Sequence, residues 1–254
     1  MIKLSQIQKI TMAAVMIVLT IIFTRLLSIQ NIPVIPFVRI SLGPAVVILA
    51  SLILGPIYGG IVGGAADILG IVLFPNGFDI NPILTIVYAA SGVLPFFVYK
   101  LFSLIKKEKI SLILLNVIFF SLFVVTLLFF IFNSSIVLYG KTYNFLPWHK
   151  ILILSFIFIF TFLSLLAIYF INKSFKKKNE QYINVYVIAL TSLISEFIIK
   201  TIINSFVKSA MFEVDLLYIF MSEVLVLFIN IPLYTYFVTY LSTLLKKIIH
   251  SKGL

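Results

Sequence analysis

Arg25 and Arg39 are the only arginines in this chain of 254 residues, and both flank the short stretch holding Pro33 and Pro36 between the first two hydrophobic runs. An arginine costs about 2.5 kcal/mol or more inside a bilayer helix and is kept there for a partner or a pathway. Its guanidinium is a planar fork of donors that matches two carboxylate oxygens. The pair therefore reads as the anion-receiving part of a small-molecule site. Asp67, within the third run, needs a cation or a donor. It serves either as a structural bridge to one of the arginines or in ligand contact and motion. A site for a small organic anion also uses aromatic faces and a few fixed polar groups in an apolar slot. Phe78, Tyr139 and Trp148 can supply the first, and Asn76, Asp79, Asn81 and Asn133 the second. Each has a plainer reading. Trp and Tyr favour the membrane interface, while Asp79 and Asn81 suit a cap before a helix starting at Pro82.

Composition dictates what must position these groups. With 62% hydrophobic residues, 26 Phe and 11% charged residues, the chain cannot build a water-soluble surface. It reads as an all-α integral membrane protein, a single membrane domain over 1–254, because backbone polar groups in lipid are satisfied within helices. Runs of suitable length fall at about 7–28, 42–54, 57–74, 82–105, 110–138, 147–172, 182–207 and 214–248. The second and third are short and separated only by Gly55-Pro56, so they form a tight hairpin or a pair of packed half-length helices. The first run is read as a retained helix rather than a signal peptide. There are no cysteines, hence no disulfides or thiol chemistry. The net charge of +11 comes mainly from lysines at the ends of runs, so it reads as a topology signal toward membrane lipid and not as nucleic-acid binding.

With both termini cytoplasmic, the opposite side receives only six basic residues: Arg25, Arg39, Lys141, Lys150, Lys200 and Lys208. That is the arrangement favoured by the positive-inside rule. Gly55, Gly59 and Gly63, with Gly60 and Gly64 beside them, form a small-residue stripe of the kind that lets helices approach closely in lipid. Glu196 and Lys200 lie four apart on one helix face and are expected to pair, while Glu223 has no obvious partner in its span. His149 and His250 fall at opposite faces and cannot share a metal. No catalytic constellation, phosphate-cradling Gly-x-x-x-x-Gly-Lys motif or cofactor motif stands out.

Several segments resemble a known family in order and spacing: Thr24-Arg25-Leu26-Leu27-Ser28-Ile29, Val38-Arg39-Ile40-Ser41-Leu42-Gly43, Leu54-Gly55-Pro56-Ile57-Tyr58-Gly59-Gly60, Ala66-Asp67-Ile68-Leu69-Gly70, Leu73-Phe74-Pro75-Asn76-Gly77, and Asn133 followed by Leu138-Tyr139-Gly140-Lys141. Together they resemble the folate-type substrate-binding (S) component of energy-coupling factor (ECF) vitamin transporters over roughly residues 10–170. The resemblance implies a six-helix bundle that captures a folate-like vitamin at the outer face of the cell membrane. Its partners would be a coupling transmembrane protein and two ATPase subunits, and the chain itself would be no enzyme and carry no cofactor. The family's Ala-x-x-x-Ala docking face on the first helix is matched at Ala13-Ala14 but not at Ile17 and Val18. The loop Phe78-Asp79-Ile80-Asn81-Pro82 also departs from the folate-type pattern. Length implies about two helices beyond six, and residues 1–173 are expected as the S-component-like core, with 174–254 an additional or duplicated hairpin. Two other classes remain open: a stand-alone secondary transporter of a small organic anion, and a lipid-modifying membrane enzyme.

Overall fold

The computed structural model describes residues 5–29, 38–74, 81–105, 107–133, 135–138, 141–144, 147–177 and 184–251. Among these, eight helices follow one another: α1 (Gln6–Leu26), α2 (Gly43–Leu54), α3 (Pro56–Leu73), α4 (Pro82–Ser103), α5 (Glu108–Phe132), α6 (Pro147–Lys177), α7 (Val185–Phe212) and α8 (Leu216–Ser251). Seven are long and apolar enough to cross a membrane, and α2, with 12 residues, rises only about 18 Å. The protein is thus an all-α multi-pass membrane protein. A small antiparallel hairpin, β1 (Ser135–Leu138) with β2 (Lys141–Asn144), joins α5 to α6. The fifth run was expected to stay helical to 138. It ends at Phe132, where the Asn133 side chain donates back to the Phe129 carbonyl at 2.9 Å and the chain turns into β1.

Local signals account for the boundaries. Ser5 and Gln8 form a reciprocal capping box at the start of α1. Asn81 and Asn184 cap α4 and α7 through their side-chain oxygens. Gly55, at φ +98°, makes the turn between α2 and α3 that an L side chain would resist, and Pro56 starts the next helix.

Polar content decides which helices lie inside. The middles of α5 and α6 carry no acid, lysine or arginine, and these helices turn large apolar side chains such as Phe120, Ile151 and Phe162 outward. In contrast, α7 and α8 hold Thr191, Glu196, Asn204, Glu223 and Asn230, all buried. Polar groups in lipid are least costly facing the bundle interior. Consequently α7 and α8 are the helices expected as an addition and yet among the most buried, packed against α2, α4 and α1 around Ile48, Leu190, Phe228 and Tyr234.

The glycine stripe packs α3 onto α4. A Cβ on Gly59 would fall 2.2 Å from the Gly92 carbonyl oxygen, and one on Gly63 would fall 2.2 Å from that of Tyr88. Gly64 is looser, its nearest neighbour being the Ala89 Cβ at 3.4 Å. Pro95 removes one N–H from the ladder of α4, and the N–H of the next residue, Phe96, donates to Ser51 Oγ of α2 at 3.1 Å. Gly63→Ala should therefore destabilise the detergent-solubilised protein by about 1–3 kcal/mol, read as a lowered Tm, whereas Gly64→Ala should leave Tm nearly unchanged.

Candidate ligand-binding site

A cavity of about 690 Å³ opens among α1, α2, α3, α4 and α7. Its lining comes from the C-terminal parts of α1, α3 and α7 and the N-terminal parts of α2 and α4, so it occupies one end of the bundle. That is the end at which the basic-residue count places the outside. Four of the six basic residues assigned to that side, Arg25, Arg39, Lys200 and Lys208, line the cavity.

Arg25 sits in the closing turn of α1, where residues Ile22–Leu26 are wound as a π-helix and the Leu27 N–H donates to the Ile22 carbonyl at 3.0 Å. Such turns often mark functional positions. The guanidinium meets Asp67 of α3 at 3.7 Å, with both side chains largely buried. Thr85 of α4 donates to the other Asp67 oxygen at 2.9 Å. Gly70 leaves the space for Arg25, since a Cβ there would lie 3.0 Å from its Nε. Of the two roles open to Asp67, the bridge is the one seen, and the residue also borders the cavity.

Arg39 is brought beside α1 by a two-residue bridge in which Ile29 and Ile40 exchange backbone hydrogen bonds at 2.9 and 3.0 Å. Its Nη1 donates to the Thr24 carbonyl at 3.3 Å, one residue from Arg25. Lys200 lies in a second π-helical segment, Phe197–Ile203, and its ammonium donates to the Arg39 carbonyl at 3.2 Å. The expected pairing of Glu196 with Lys200 is therefore not formed, and Glu196 Oε2 has no hydrogen-bond partner among the described residues. Glu223 has a partner after all, Lys208, whose ammonium donates to its Oε1 between α7 and α8.

The other sequence-selected residues divide. Asn81 borders the cavity but spends its oxygen on the Ile83 N–H, so the capping role is realised as well. Asn133 is not brought to the described cavity lining, because its amide closes its own helix. Asn76, Phe78, Asp79 and Tyr139 lie outside the described residues, as does the side chain of Trp148, which stands in the first turn of α6. Of the docking pair, Ala13 is corrected: it is buried in the core, and only Ala14 faces outward with Ile10 and Val18. Sequence reading did not select Glu196, Lys200, Lys208 or Asn204 for the site. The available signal was a cluster of acids and lysines within an otherwise apolar run.

A helical membrane protein with a polar cavity at one end has the form of a ligand-binding protein. The family model for the S component of the ECF-type riboflavin transporter matches residues 4–157, more than half of the chain, and the chain belongs to this family. Among curated relatives, the chain is similar to the Folate transporter FolT of Clostridium novyi (strain NT), with 36% identity over 104 residues. That match covers 41% of this chain and 55% of the relative, so the chain spans about half the length of the relative it matches. No solved structure matches.

Replacing Asp67 by Ala should leave Arg25 uncompensated in the wall. Stability should fall by as much as about 3 kcal/mol, measured as a lower Tm, and Asp67→Asn should lose less because Thr85 and Arg25 keep an oxygen to bond.

Proposed function

We propose that this chain is the substrate-binding subunit of an ECF-type importer, capturing folate or a related carboxylated heteroaromatic vitamin at the outer face. Delivery would then depend on a coupling transmembrane protein and two ATPase subunits. The observation that carries this reading is the convergence of Arg25, Arg39 and Lys200 on one wall of a cavity of about 690 Å³, a volume suited to a small organic molecule. Such a wall favours an anion. Folate carries carboxylates and riboflavin carries none, so between the two vitamins named by the family and the relative the wall favours folate.

The six helices that hold the ligand are, in this reading, α1 to α4 with α7 and α8, while α5, α6 and the β hairpin stand outside. This differs from a core ending at 173, and it is supported by α7 lining the cavity and α8 securing it through Glu223. Docking to the coupling protein would use the exposed α1 face around Ala14 rather than the buried Ala13. Both termini are assigned to the cytoplasm.

Arg25→Ala should weaken folate binding to the purified protein by about 1.5–3 kcal/mol, measured by calorimetry alongside a Tm control. Unchanged affinity in a folded variant would remove Arg25 from the site. In proteoliposomes, uptake should require the coupling protein, the ATPases and ATP; uptake by the chain alone on an ion gradient would instead indicate a secondary transporter.

A further inference from the structure

We propose that the helix pair α5 and α6 carries a binding site for an anionic phospholipid at the end of the bundle opposite the cavity. Lys107, Lys109 and Lys173 hold the headgroup phosphate, and an acyl chain lies along the exposed apolar faces just beyond them. The site is independent of which ligand the cavity takes.

Its placement follows from the direction of the chain. Asn81 and Pro82 line the cavity, and α4 runs 22 residues away from it, so α5 starts at the far end. The last turns of α6 lie there too. Glu108, in the first turn of α5, accepts from Asn172 Nδ2 at 2.7 Å and from Lys176 Nζ at 3.2 Å, both near the end of α6. This is the end assigned to the cytoplasm.

Both carboxylate oxygens of Glu108 are thus used in tying α5 to α6. Lys107, Lys109 and Lys173 are exposed, and among the described residues no acid pairs with any of them. The corner under α1, α2 and α3 is different. The Gly55-Pro56 turn carries no basic residue, and the Lys9 ammonium of α1 stands 6.0 Å from the centre of the Tyr58 ring. The lysine cluster therefore sits on the helix pair that stands outside the cavity-forming helices, away from the α1 face around Ala14.

Just beyond the lysines, both helices turn apolar side chains outward: Ile110, Ile113 and Val117 on α5, and Leu166, Tyr169 and Phe170 on α6. At 1.5 Å per residue, Lys109 to Val117 spans about 12 Å and Lys173 to Leu166 about 10 Å, within reach of one acyl chain. Lysine stems lie along apolar surface while their ammonium groups stay at headgroup level. An acidic soluble partner can neutralise the charges but has nothing to lay on the apolar faces inside the bilayer, whereas a phospholipid matches both. Clusters of lysine beside the cytoplasmic leaflet attract anionic lipid, and the attraction sums over the charges.

The test is native mass spectrometry of the full-length protein in detergent, titrated with dioleoyl phosphatidylglycerol or dioleoyl phosphatidylcholine. Phosphatidylglycerol should bind about tenfold more tightly or better. The triple variant Lys107→Gln, Lys109→Gln, Lys173→Gln should lose most of that preference, and the corresponding Lys→Arg triple should keep it, with Tm showing that both fold. A control triple at the same side, Lys9→Gln, Lys246→Gln, Lys247→Gln, should also keep it. Glycerophosphoglycerol, the headgroup without acyl chains, should not displace the lipid even in large excess. Equal affinity of the wild type for the two lipids would overturn the proposal. So would an equal loss in the control triple, which would make the preference a property of net charge, and so would displacement by glycerophosphoglycerol, which would mark a patch for soluble anionic partners. The lipid comparison and the displacement use the wild type alone, so they decide the matter even where a variant fails to fold.

Discussion

Ionised side chains inside a lipid-embedded bundle must be compensated locally, and the architecture around the cavity is arranged to do so. Arg25 of α1 is answered by Asp67 of α3, and Lys208 of α7 by Glu223 of α8. Lys200 of α7 is answered by the carbonyl of Arg39. Every one of these contacts crosses between elements. Satisfying the charges therefore fixes α1 to α3, α7 to α8, and α7 to the segment that enters α2. Breaking such a pair from one side leaves a buried charge, which is far more costly than never having had the pair.

Backbone devices make the charged cluster geometrically possible. Two π-helical turns carry Arg25 and Lys200, and the Ile29 and Ile40 bridge returns Arg39 to the end of α1. On the opposite wall, Gly59 and Gly63 draw α3 against α4, which sets Thr85 within reach of Asp67. Gly70 supplies the space that the Arg25 guanidinium occupies. Small residues thus act twice, once in helix packing and once in giving a large side chain room to reach its partner.

The comparisons and the geometry bear on different questions. The family match assigns the chain to the S components of ECF-type transporters, but the vitamin in that family's description is not the vitamin in the relative's name. Association with the membrane follows independently from seven helices of sufficient length and apolarity.

From the sequence, composition and run length already determined an all-α membrane protein with eight hydrophobic segments, because lipid leaves the backbone few alternatives. Arg25, Arg39 and Asp67 stood out because charge inside an apolar run is costly, and the Gly55 to Gly63 spacing announced a close helix contact. What the residues alone could not decide was which charges meet. Glu196 and Lys200 have helical spacing for a pair, yet a π-helical segment and a carbonyl from 161 residues away take the lysine elsewhere. Ala13 and Ala14 are neighbours in the chain, and only the packing of α1 turned one inward and left the other facing out. Residues 174–254 were read as an addition although Glu196, Asn204, Glu223 and Asn230 mark them as unlike the apolar middles of α5 and α6; the cavity that α7 forms against α1 to α4 exists only once those helices are packed.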